Sequence, residues 1–179
     1  MKKILAVLLA MLMLVSLVAC GGADKDDTVK PAVDPNTVGG VLYADFEKNI
    51  SENPAITAQE MADALLANEI IQFMGGSIPV EEGWLTGFGE AEIKGFKEGV
   101  MFAPMISSIP FVGYVFVLED GADVEAFKTT LKDNADPRWN ICTEAEQTVV
   151  ESNGNMVFFL MCPMSFETET VSGADVVAE

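Results

Sequence analysis

The sequence predicts one α+β domain, a mainly antiparallel sheet with helices packed on it, in the order helix, strand, strand, helix, strand, strand. Three observations point there. "FVGYVFVLE" (111–119) and "MVFFLMC" (156–162) are short apolar runs rich in aromatic and β-branched residues, as strands are. Two other stretches carry helix caps and helical spacing instead. Asn153-Gly154 between two apolar runs marks a hairpin, which makes that pairing antiparallel.

The first helix begins at a capping box. In Thr57-Ala58-Gln59-Glu60 the Thr hydroxyl and the Glu carboxylate each satisfy an amide the helix leaves open, and Ile56 and Met61 staple across the cap. Apolar spacing carries this helix to about Met74, where Gly75-Gly76 supplies a left-handed stop. An earlier segment, 42–50, is a further helix candidate set off by Asn53-Pro54. The second helix spans 123–134. Val124, Phe127 and Leu131 form one stripe, Asp123 is its cap, Lys128 and Lys132 suit its C-terminal end, and Asp136-Pro137 ends it.

The other two strands are 99–105, stopped by Pro104, and 147–151, which pairs with 156–162 through the Asn153-Gly154 turn. In 156–162 both alternating faces are apolar: Met156, Phe158 and Leu160 on one, Val157, Phe159 and Met161 on the other. Such a strand is interior and needs cover on both sides, from helices, loops or a partner.

Residues 75–98, "GGSIPVEEGWLTGFGEAEIKGFKE", combine many glycines with Trp84, Phe88 and Phe96. A long segment of this kind is a candidate binding loop. The alternative, that it folds its aromatics back onto the core, is the commoner fate.

Location is written at the N-terminus. Met1-Lys2-Lys3 is a basic start, and residues 4–19 are apolar except for Ser16. The run is short of the roughly 20 residues a span needs, and nothing comparable follows. It reads as a signal peptide, 1–19. Residues 20–37 read as Cys20 and an acidic tether with an r.m.s. reach of roughly 20–25 Å. The globular domain is placed at 38–166 and an acidic tail at 167–179.

The chain has 10 basic and 28 acidic residues. Removing Lys2 and Lys3 with the leader leaves 8 against 28, a net charge of −20. Nucleic acid is excluded as a partner, because phosphate binding needs clustered Lys and Arg. Attraction to anionic lipid fails for the same reason. The acid excess serves solubility, with a cationic partner as the sharper alternative.

Chemistry is harder to find. The chain has no histidine, which removes His-based triads, Cys-His dyads and His-ligated metal sites. Glu144 and Glu146 near Trp139 have the look of a sugar site, but among 28 acids such neighbours arise by chance. "DKDD" (24–27) and "EDGAD" (119–123) do not continue into a calcium loop; the second reads as a turn plus helix cap. "GFGEAE" lacks the lysine and context of a phosphate cradle. Met101, Met105, Met156, Met161 and Met164 fall in or beside apolar runs and read as core filling. No cofactor is expected. With 153–154 as the hairpin loop, opposed positions sum to 307, so Cys162 faces Ala145 and Cys142 faces Ser165. The thiols are then about 10 Å apart on opposite faces, and a Cys142–Cys162 disulfide is not expected.

Leu17-Val18-Ala19-Cys20 resembles the lipobox of bacterial lipoproteins. The resemblance implies that Cys20 carries a diacylglyceryl group and becomes the first residue after cleavage. Two acyl chains hold firmly where one is marginal, at about 0.8 kcal/mol per buried methylene. The stretch 111–163, with "GADVEAFKTTLKDNADPRWN", the Glu-Ala-Glu segment and "NGN" before "VFFLM", is similar to a Gram-positive lipoprotein family whose globular part is a domain of unknown function. That similarity brings no catalytic residue with it.

The expected protein is a lipid-anchored extracytoplasmic module at the cell membrane, binding or scaffolding an envelope protein or small molecule without catalysis. It meets the membrane through the anchor only. The alternatives are a solute-binding component of a transporter and a hydrolase built on carboxylates or a Ser-Lys pair.

Overall fold

The computed structural model describes residues 33–106 and 108–166. The signal-peptide and lipobox readings, residues 20–32 of the tether and the acidic tail lie outside them. The described chain is a single α+β domain of three helices, a five-stranded antiparallel sheet and a two-stranded ladder.

The helix α1, Val38–Glu52, opens the domain. Thr37 caps it, its hydroxyl accepting the Gly40 N–H at 3.0 Å and donating to the Asp34 carbonyl at 2.8 Å. Val38, Leu42 and Phe46 recur every fourth residue and are buried. Thr37 is itself buried and Val33 packs on the core, so the folded unit takes in five residues assigned above to the tether.

The helix α2, Ala58–Leu66, starts on the expected capping box, with the Thr57 and Glu60 groups bonded reciprocally. Those bonds hold the Glu60 carboxyl below its usual range. The helix stops about two turns short of Met74. Asn68 turns the chain instead: its side-chain oxygen accepts the Ile70 N–H at 3.0 Å and its amide donates to Asp45 at 3.0 Å. Ile70, Ile71 and Phe73 then pack on the core from irregular backbone.

The strand β1, Gly75–Val80, takes the two glycines read above as a helix stop. After β1 come β2 (Gly83–Trp84) and β3 (Glu92–Ile93), then β4 (Glu98–Pro104) and β5 (Val112–Val117). The helix α3, Val124–Asn134, follows, with Asp123 accepting the Ala126 N–H at 3.0 Å as its cap. The strands β6 (Gln147–Asn153) and β7 (Met156–Cys162) close the chain. The main sheet runs β1-β4-β5-β7-β6, all antiparallel, and β2 pairs only with β3. The candidate at 42–50 is thus a helix, α1, and the order gains three strands before β4: β1 in the main sheet and the β2–β3 ladder. Pro79 sits in β1, an edge strand, where its missing N–H is tolerated.

The β6–β7 turn differs by one residue from the sequence reading. Asn153 pairs with Met156, so the loop is Gly154-Asn155 and Cys162 faces Gln147. Gly154 has φ of +59°, and no non-glycine residue among those described has positive φ. Glycine first, then an ordinary residue, is the type II′ pattern, whereas type I′ needs two positive angles. Asn153 stays in the ladder and donates its amide to Glu47 of α1 at 2.8 Å.

Both faces of the sheet are apolar and both are covered. One face presents Val100, Phe102, Val115, Phe158 and Leu160 to α1 and α2. The other presents Tyr114, Phe116, Val157, Phe159 and Met161. On that side α3 packs against β6 and β7 through Phe127 and Leu131, and the 81–97 segment covers the rest. Gly113 marks how tightly the first face is filled. A Cβ placed there would overlap the Cζ end of the Phe102 ring on the neighbouring strand. Gly113→Ala is expected to lower stability by about 1–3 kcal/mol in urea unfolding. That cost shrinks when Phe102 is already leucine, so a double-mutant cycle shows coupling; additive costs would place the ring elsewhere.

Candidate functional site

The glycine-rich segment was the first candidate, and the structure separates its three aromatics. Phe88 and Phe96 are buried. The Phe88 ring lies 4.6 Å from that of Phe159 and 5.6 Å from that of Tyr114; the Phe96 ring lies 4.9 Å from that of Phe116. They seal the second face of the sheet and present no surface to a ligand. Trp84 is 75% exposed, on β2 opposite Glu92, beside a shallow depression it forms with Gly89 and Glu90.

Polar bonds fix the segment at its ends and its middle. Tyr114 donates to the Thr86 carbonyl at 2.9 Å, Asp136 N–H to the Gly87 carbonyl at 2.8 Å, and Lys97 N–H to the Val117 carbonyl at 2.8 Å. Gly95 N–H donates to the Glu82 carboxylate at 2.7 Å. Burial drives the Tyr114 phenol far above its usual range, so it acts as a neutral donor. A segment tied down in this way is a wall of the core.

Where that wall ends, a groove of about 230 Å³ opens between β4, β5 and the loop after α3. Thr86, Met101, Pro104, Ile109, Phe111 and Trp139 line it. The neighbouring loops are tied to each other: the Ser108 carbonyl accepts from Asn140 at 3.3 Å and from Thr143 at 2.8 Å. Trp139, noted above beside acids, is thus a groove residue. The acids themselves have structural partners. Glu144 pairs with Arg138 at 3.6 Å, and Glu146 accepts the Met164 N–H at 2.8 Å.

"EDGAD" is a turn and a cap, with the Ala122 N–H donating to the Glu119 carbonyl at 3.1 Å and Asp123 leading α3. Among the described residues no three Cys, Asp or Glu side chains converge as metal ligands would. Met156 and Met161 fill the core, and Met101 is half-buried in the groove. Met105 and Met164 are exposed, which corrects their assignment to the core. They lie past the ends of β4 and β7, where no layer covers them.

A charged contact that spacing alone does not reveal lies under α3. Lys128, expected to serve the helix end, is buried, 2.9 Å from Glu125 and 3.6 Å from the buried Glu151 of β6. It ties the helix to the edge strand. Its only signal in the sequence is a Lys one position after the buried Phe127.

Cys142 is exposed and Cys162 buried, and both are free. Burial pushes the Cys162 thiol up from its usual value near 9 to about 12, helped by the Glu146 charge and opposed by the Gly39 amide. The neutral thiol thus contributes stability that is whole below pH 9 and is lost as pH climbs towards 12. In a Cys20→Ser chain at pH 8, one thiol is expected to react under native conditions and a second only on unfolding. Two fast thiols would put Cys162 at the surface; none after unfolding would reveal a bridge. The aromatics separate in the same way. Phe88→Ala is expected to cost about 3–5 kcal/mol in urea unfolding, and Trp84→Ala no more than about 0.5 kcal/mol. Equal costs would contradict the assigned burial.

No protein-family model, curated protein or solved structure matches the chain. The similarity of 111–163 to a lipoprotein family rests on the quoted residues alone.

Proposed function

We propose that the chain is a bacterial-type lipoprotein, held at the extracytoplasmic face of the cell membrane by a diacylglyceryl group on Cys20. Its domain binds or scaffolds an envelope partner and does no chemistry of its own. The observation that carries this reading is Leu17-Val18-Ala19-Cys20 at the end of a short apolar run with a basic start. Two further facts support it. No helix among the described residues is long and apolar enough to cross a membrane, which is compatible with attachment through the N-terminal segment. The lack of histidine removes the commonest general base and leaves nucleophiles without their usual partner. For a binding role, the groove beside Trp139 offers an aromatic and apolar lining.

The test is metabolic labelling with an alkyne-bearing fatty acid in a bacterial host. The wild-type chain is expected to take the label and to lose the mass of residues 1–19. Cys20→Ala should take none and keep that mass. A variant that labels and migrates like wild type would refute the anchor.

A further inference from the structure

We infer that one end of the domain is a membrane-docking surface that seats on the headgroup–acyl boundary of a lipid bilayer; this rests on the anchor proposed above and goes beyond it, since the anchor alone leaves the domain's orientation free. Of the seven large apolar side chains exposed among the described residues, five gather at a single end of the main sheet: Met74, Met105, Ile106, Ile141 and Met164. The strand register places them there. Gly75 pairs with Pro104, Val112 with Met161, and Gln147 with Cys162, so these residues form one end row. Met74 precedes that row and Met105 and Ile106 follow it, with the Met105 N–H donating to the Met74 carbonyl at 3.0 Å. Ile141 lies in the loop that Asn140 and Thr143 tie to Ser108. Ile106 is 96% exposed and Ile141 98% exposed. Sequence alone gives these residues no common place.

The chain enters at this same end. The Val38 N–H donates to the Met164 carbonyl at 3.0 Å, and the Gly39 N–H to Gln147, the first residue of β6, at 3.2 Å. Residues 21–32 separate Cys20 from Val33, and twelve residues reach about 40 Å at most. A domain held on so short a lead meets the bilayer at high local concentration, so even weak docking is populated. Each Ile or Met side chain moved from water into the acyl boundary removes apolar surface from water and so favours docking. The net charge of −20 on the chain from Cys20 onward, 8 basic against 28 acidic residues, opposes anionic headgroups, so the surface is suited to apolar insertion among zwitterionic lipids.

The full-length lipidated protein in phosphatidylcholine vesicles that carry bromine on the acyl chains tests this. Cys142, exposed next to Ile141, takes a thiol-reactive fluorophore; Cys162 is buried. For comparison, Cys142→Ser with Asp120→Cys moves the label to the β5–α3 turn at the opposite end of the sheet. The label at Cys142 is expected to be quenched several-fold more than the label at position 120. Ile106→Asp with Ile141→Asp should bring it down to that lower level while the protein stays on the vesicles and its melting temperature holds. Equal quenching at both positions, or quenching that survives the two aspartates, would overturn the docking surface. So would a detergent-solubilised dimer that those aspartates split, since a second copy would then be the occupant. Failure of the anchor is read separately: a chain that takes no fatty-acid label refutes the lipid reading, whereas a labelled, vesicle-bound chain with an unquenched Cys142 probe refutes docking alone.

Discussion

The rest of the structure depends on one constraint: β7 is buried at every position, on both faces. Seven consecutive apolar side chains cannot all point at one layer, because successive residues alternate. The strand therefore has to lie inside a sheet that is covered twice. Its neighbours β5 and β6 supply its backbone partners. The helices α1 and α2 supply one cover, and their stripes of Val38, Leu42, Phe46, Met61 and Leu65 match the face that carries Phe158 and Leu160. The second cover is harder to build from eleven residues of α3. Phe127 and Leu131 cover the β6–β7 half, and beyond it the Phe127 ring reaches Phe116 of β5, at 5.3 Å. The segment between β1 and β4 completes it with Phe88, Ile93 and Phe96, each of which removes a large apolar surface from water at about 25 cal/mol per Å².

This division of labour decides what the glycine-rich segment is for. A binding loop on a sealed scaffold is free to move; a segment that is part of the seal is not. Tyr114 and the Asp136 N–H donate to its backbone carbonyls, and its own Lys97 N–H donates to the Val117 carbonyl, which fixes it at spaced points along its length. Recognition is left to what the seal does not use: the exposed ring of Trp84, the groove beside Trp139, and the apolar side chains at the end of the sheet where the chain enters.

Much of the fold was legible because its signals are local. A capping box, an Asp cap and a stripe at i, i+3 and i+7 place α2 and α3 to within a residue at their starts. Two-faced apolar runs mark β5 and β7 as interior strands, and so they are. The failures are places where a distant residue wins. The capped helix stops early because Asn68 bonds to Asp45 of α1, and Gly75-Gly76 becomes strand because β4 offers a partner. The hairpin slips by one residue because Glu47 holds Asn153 in the ladder. Phe88 and Phe96, named as binding-loop candidates, take the fate read as the commoner one and fold back onto the core, because the second face of the sheet needs their cover. Met105 and Met164 read as core filling because they sit just beyond β4 and β7, whose own methionines are half-buried (Met101) or core (Met156 and Met161).

The most direct measurement is native-state hydrogen exchange resolved to single amides. If the 81–97 segment is the second cover of the sheet, the amides of Asp136 and Ala91, bonded to the Gly87 and Phe88 carbonyls, open together with the amides of β5 and β7 at the free energy of global unfolding. Exchange of those loop amides at a much lower free energy, with β5 and β7 still protected, would mean that the segment lifts off an intact sheet, and would contradict its role as a wall of the core.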